Sequence, residues 1–172
     1  LMSADEELGY VYVPLSSAAN EWYGGQRPGA NLYSDSLVCL DARTGERKWH
    51  FQMVKHKIWN FDNPTAPVLL DLDMPGRGKV PAIAQITKQA WVYAFDRITG
   101  EPLWPIVDKP VPASIVPGEV LSPTQPHVTK PAPYDMQGIT IDDLADFTPE
   151  IRQQAIDALA NYQMGPLFNP PI

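Results

Sequence analysis

The chain has 172 residues, 44% of them apolar, with a net charge of −7 and an isoelectric point near 4.8; its thirteen Lys and Arg are scattered, which excludes nucleic acid as a partner. No run approaches the roughly 18 apolar residues that a membrane-crossing helix needs, and the single Cys39 cannot form an internal disulfide and reads as a buried small residue in a strand. The 19 prolines cluster in 102–133 and 166–171, marking irregular connections there.

In chain order, the opening Leu1-Met2-Ser3-Ala4 has no basic-plus-apolar leader, and both this end and Pro170-Pro171-Ile172 are expected to be cuts from a longer polypeptide. Alternating or β-rich runs predict strands at Tyr10–Val13, Ser36–Leu40, Trp49–Met53 and Ala90–Phe95. Thr148-Pro149-Glu150 supplies an N-cap, a first-turn proline and a first-turn acid. An amphipathic helix is therefore expected near 149–163, with Ile151, Ala155, Ile156, Leu159 and Tyr162 on one face and Gly165-Pro166 as its stop. A shorter turn capped by Thr140, with Asp143 three residues on, is expected before it.

The segments Val38–Trp49 and Tyr93–Trp104 superpose without gaps. Asp, Thr, Gly, Glu and Trp recur at one offset of 55 residues, from Asp41, Thr44, Gly45, Glu46 and Trp49 to Asp96, Thr99, Gly100, Glu101 and Trp104. Each unit reads as strand, tight turn, strand. Asp bonds the backbone ahead of it, Gly supplies positive φ, and the Trp that follows is large enough to pack on a neighbouring unit. Antiparallel units repeated radially make a β-propeller, so the expected fold is all-β, about two to three blades. Residues 1–107 read as blades, and 108–172 as a Pro-rich, partly helical excursion between blades. Two repeats cannot close a ring, which makes the remaining blades of the same propeller the first expected partner.

The repeated Asp-x-x-Thr-Gly-Glu-x-x-Trp resembles the tryptophan-docking motif of the PQQ-dependent (quinoprotein) alcohol and glucose dehydrogenases, which are eight-bladed propellers. Tyr23–Gly29, Ser36–Asp41, Trp49–Gln52, Lys55–Pro64 and Ser122–Pro126 are similar to the membrane-type glucose dehydrogenase branch. The resemblance implies an enzyme that oxidises an alcohol or sugar with PQQ and Ca²⁺ (or Mg²⁺), passing electrons to a quinone or cytochrome c. It also implies a periplasmic location, with any membrane anchor outside this segment.

Position by position, the family's cofactor-contacting lysine maps to Lys88, and Trp59 is a candidate wall for the planar cofactor. The family's general base and metal-ligand aspartate maps to Asn60, a departure from the pattern, and Asp62 matches the second aspartate. Where the family often places a metal-binding asparagine, this chain has Ser16-Ser17. An amide coordinates a cation through its oxygen but does not titrate as a base near neutral pH. The proton acceptor is then sought in Asp62, two residues on, or in His56, whose ordinary pKa lies in the useful range. The competing reading is a propeller that keeps the blade motif as a scaffold or binding protein without the chemistry, and Asn60 is its best support.

Overall fold

The computed structural model describes residues 1–171. Nine strands form three antiparallel sheets: β1 (Ser3–Asp5), β2 (Tyr10–Pro14), β3 (Ser36–Asp41) and β4 (Arg47–Gln52) in one; β5 (Val68–Met74), β6 (Gly78–Ile86) and β7 (Val92–Asp96) in the second; β8 (Ile106–Pro110) and β9 (Thr124–Val128) in the third. The first sheet is a complete four-stranded meander. The second has three strands and the trace of a fourth, through the Phe95–Pro102 bridge and the hydrogen bond from Leu103 N–H to Ala94 O. These are successive blades of a β-propeller wall.

The two repeats close by the same chemistry. Asp41 Oδ1 accepts from the N–H groups of Arg43 (2.9 Å) and Thr44 (3.0 Å), and Asp96 Oδ1 from those of Ile98 (2.9 Å) and Thr99 (3.1 Å). The carboxylate thereby fixes the turn that Gly45 and Gly100 complete at φ 73° and 78°, a backbone region costly for residues with a Cβ.

Trp49 then joins one blade to the next. Its indole Nε1–H donates to Arg97 O in the second repeat (3.2 Å), and the Tyr12 hydroxyl donates to the same carbonyl (2.9 Å). The ring lies over Gly100, where an added Cβ would sit 2.6 Å from the indole. Around it pack Tyr12, Leu37 and Cys39 from the first blade and Ile83, Tyr93 and Phe95 from the second, so the main core lies between the two sheets. The opposite face of the second sheet carries a separate cluster of Val80, Ala82, Ala94 and Leu103, with Trp104 packed against it. Arg97 adds ion pairs to Asp5 (2.7 Å) and Asp71 (3.1 Å).

The predicted strands are present, and four further features depart from expectation. β5 and β6 occupy a stretch where no strand was expected. β6 contains Pro81 among small residues, and it is tolerated because pairing with β7 begins only at Ala82. β8 straddles the expected boundary between 107 and 108 and pairs with β9. The helix α1 (Pro149–Ala158) starts at the expected cap, with Thr148 Oγ1 accepting from Ile151 N–H (3.3 Å), but it stops well short of Gly165-Pro166. Beyond Ala158 the carbonyls of Ile156, Asp157 and Leu159 are taken by i+3 donors, which tightens the chain out of α geometry. Its apolar stripe is at best half-buried, with Ile151 and Tyr162 exposed. Asp143 takes both the N–H and the hydroxyl of Thr140 at 2.7 Å, capping the short 3₁₀ turn Ile141–Asp143.

Two comparisons test the blade lock. Gly100→Ala and Gly45→Ala impose similar backbone strain, but only the former meets the Trp49 ring, so it is expected to lower the melting temperature several degrees further. Trp49→Ala is expected to cost about 3–5 kcal/mol in chemical denaturation, as for other buried aromatic truncations.

Candidate functional site

The site is built where the irregular segment 53–67, between β4 and β5, passes the turn between β6 and β7. That turn is closed by Ala90 N–H to Thr87 O (3.2 Å) and Thr87 N–H to Trp91 O (3.0 Å), which leaves Lys88 at its tip. Gln125 of β9 clamps the start of the segment through the N–H (2.8 Å) and carbonyl (2.7 Å) of Lys55. Further along, Asn63 Nδ2 donates to Leu15 O (2.8 Å) and Trp59 Nε1 to Asn169 O (2.8 Å).

Lys88, Asn60 and Asp62 meet. Lys88 Nζ donates to Asn60 Oδ1 and lies 3.6 Å from Asp62 Oδ2, with its side chain 39% exposed. The group presents an ammonium, an amide and a carboxylate edge toward open space.

Behind it stands a cluster that motif reading missed. Lys57 is 1% exposed, and its ammonium lies 2.9 Å from Asp62 Oδ1, 3.0 Å from Asp35 Oδ1 and 3.4 Å from Glu21 Oε1. The backbone N–H and hydroxyl of Ser17 also donate to Asp62 Oδ1, at 3.0 and 2.9 Å. Burial pushes the Asp62 carboxyl upward, but these donors outweigh it and hold the group well below the usual carboxylate range. Asp35 responds oppositely. Its own burial dominates over the attraction of Lys57 and pushes it up to about 6, and its Oδ2 has no hydrogen-bond partner. The linear sequence gives no hint of the cluster, because the carboxylates around Lys57 lie 22 and 36 residues upstream and 5 residues downstream.

The other candidates sit elsewhere. The buried His56 ring places Nδ1 2.6 Å from Gly29 O, which fixes Nδ1 as the protonated nitrogen, and the ring abuts Gly24; it makes no hydrogen bond to Asn60, Asp62 or Lys88. Trp59 is 6% exposed, packed between Phe61 and Phe168, so its faces are taken by core contacts. Among the described residues no three His, Cys, Asp or Glu side chains are placed to hold a metal ion. Asn60 Oδ1 is the one oxygen of the expected metal position, and it is engaged by Lys88.

The whole chain, residues 1–172, matches the family described as PQQ glucose/ethanol/alcohol dehydrogenase, β-propeller domain. It is 34% identical over 149 residues to the quinate/shikimate dehydrogenase (quinone) of Acinetobacter baylyi, covering 86% of this chain and 18% of that protein. To the quinoprotein glucose dehydrogenase of Escherichia coli it is 37% identical over 123 residues, 71% of this chain and 15% of that protein. Among solved structures, the quinohaemoprotein alcohol dehydrogenase from Comamonas testosteroni superposes with a TM-score of 0.56 at 25% identity, over 74% of this chain and 19% of that one. The chain therefore spans less than a fifth of the length of these relatives. With two Asp-anchored repeats, an indole locking one blade to the next and a family match along its full length, the chain belongs to the β-propeller domain family of the PQQ-dependent dehydrogenases.

Proposed function

We propose that the full-length protein carrying this segment is a periplasmic PQQ-dependent dehydrogenase that oxidises an alcohol or sugar and passes the electrons to a quinone or cytochrome c. The observation that carries this reading is the Lys88 ammonium, half-exposed and held by Asn60 beside the Asp62 carboxylate. PQQ, when bound, supplies a quinone carbonyl that accepts hydride. Lys88 is the residue of this segment that would hold the cofactor, its ammonium being placed to stabilise negative charge on a bound quinone oxygen. The fit to an anionic, oxygen-rich ring system rests on Lys88 and on the donor face of the Asn60 amide, whose oxygen Lys88 already occupies. The described residues do not complete a metal cage, and Asn60 Oδ1 is engaged by Lys88, so a Ca²⁺ or Mg²⁺ ion would need its ligands from other blades.

Asn60 does not remove the hydroxyl proton, since an amide has no useful basicity. Asp62 is the carboxylate beside it. Its Oδ1 is saturated by Lys57 and Ser17, which leaves Oδ2 to receive the proton. The same donors make Asp62 a weak base, which favours slow turnover and gives a specific reason to weigh a propeller that binds PQQ without efficient oxidation.

PQQ titration of the full-length protein, with and without Ca²⁺, decides the main point: absence of binding under both conditions sinks it. Lys88→Ala is expected to weaken PQQ at least tenfold. Asp62→Asn is expected to lower kcat about 10²–10⁴-fold, the usual contribution of a positioned base, and Asn60→Asp to raise it, both read in a dye-linked assay. Stability reports separately on Asp35. Its folded pKa, about 6, stands above the ordinary value of 3.8, so ionisation costs stability above pH 6 and that cost fades as pH falls toward 4. The melting-temperature gain of Asp35→Asn over the parent is accordingly expected to be larger at pH 8 than at pH 4.5.

A further inference from the structure

Two ammonium groups share one carboxylate. Asp62 Oδ1 receives Lys57 Nζ at 2.9 Å from inside the fold, while Oδ2 faces Lys88 Nζ at 3.6 Å, beyond hydrogen-bond length. The hydrogen bond of Lys88 goes to Asn60 instead. Lys57 has no freedom to change this arrangement. It is buried, and its three N–H donors face three carboxylates, those of Asp35, Asp62 and Glu21. Asp35, fully buried, and Asp62 both bond the ammonium directly, which holds it in place. Without Lys57, the Asp62 carboxylate would face Lys88 as its one lysine partner, at 3.6 Å already close to direct contact.

We propose that Lys57 is a positioning residue: by saturating Asp62 from within, it keeps the Lys88 ammonium on Asn60 and available to the cofactor, rather than collapsed onto the Asp62 carboxylate. The cofactor role of Lys88 rests on the function proposed above, whereas the competition between the two ammonium groups is a property of the apoprotein. An isolated mobile lysine pairs with the strongest accessible anion. Here the charge of that anion is already drawn on by Lys57 and Ser17 at Oδ1, so the half-exposed lysine hydrogen-bonds a neutral amide, a partner it can share with a ligand.

The test uses the full-length protein and two readouts. The first is the rate of Lys88 acetylation by acetic anhydride in the apoprotein, measured by peptide mass spectrometry against exposed Lys79 and Lys109 as internal references. The second is PQQ affinity from quenching of tryptophan fluorescence. Lys57→Met is expected to slow Lys88 acetylation at least threefold and weaken PQQ at least tenfold, while Lys57→Arg keeps both near the parent. Adding Asp62→Asn to Lys57→Met removes the competing anion and is expected to return both readouts to within threefold of the parent, an effect that a merely structural role for Lys57 does not produce. An unchanged acetylation rate in Lys57→Met, or a further loss on adding Asp62→Asn, overturns the proposal. Should Lys57→Met fail to fold, as judged by circular dichroism, the same comparison is made with Asp35→Asn added throughout, which removes a buried carboxylate together with the ammonium. Failure of the parent to bind PQQ removes the proposed function, and the acetylation rates still decide the role of Lys57.

Discussion

The fold depends on one donor, the indole N–H of Trp49, reaching across a blade boundary to the carbonyl of Arg97. A propeller sheet buries its faces only against its neighbours, so the contact between blades matters as much as the strands within them. Arg97 is suited to receive that contact because its side chain is tied to Asp5 and Asp71 while its carbonyl accepts from both Trp49 and Tyr12. Gly100 completes the arrangement by lacking the Cβ that would displace the ring. The carboxylate-capped turn, the glycine and the tryptophan therefore act as one unit, which explains why they recur together 55 residues apart.

The rigidity built this way extends to the site. The segment bearing Asn60 and Asp62 has no regular structure, yet Gln125, Asn63 and Trp59 pin it to β9, to the connection after β2 and to the chain terminus. Within that frame the electrostatics are unusual. A buried lysine neutralises carboxylates from inside, so Asp62 and Asp35, which share this one counter-ion, move in opposite directions: the first is held ionised by several donors, and the second is driven toward its neutral form by burial. A group that binds at Lys88 therefore meets an Asp62 already engaged from within, and Lys88 remains the accessible cation of this group.

The repeat made much of the architecture legible in the sequence. The Asp-x-x-Thr-Gly-Glu-x-x-Trp turns, the four alternating strands and the Thr148 cap are local signals, and local signals survive in a linear text. β5 and β6 escaped notice because Pro81 and the small residues of β6 dilute the alternation, and their pairing depends on partners elsewhere in the sheet. The helix end was misjudged for a related reason. Tyr162 is left exposed and the rest of the apolar stripe is at best half-buried, so burial gives little reason to continue the helix past Ala158.

At the site, the chemistry-bearing positions Asn60, Asp62 and Lys88 are named through the family resemblance, which aligns short linear motifs position by position. What the residues alone determined is therefore a blade repeat and a short set of polar groups. That Lys88 rests on Asn60, that His56 and Trp59 turn into the core, and above all that Lys57 gathers Asp35, Asp62 and Glu21, was decided by tertiary structure. Coulomb attraction and burial act through space, between groups that no spacing rule connects.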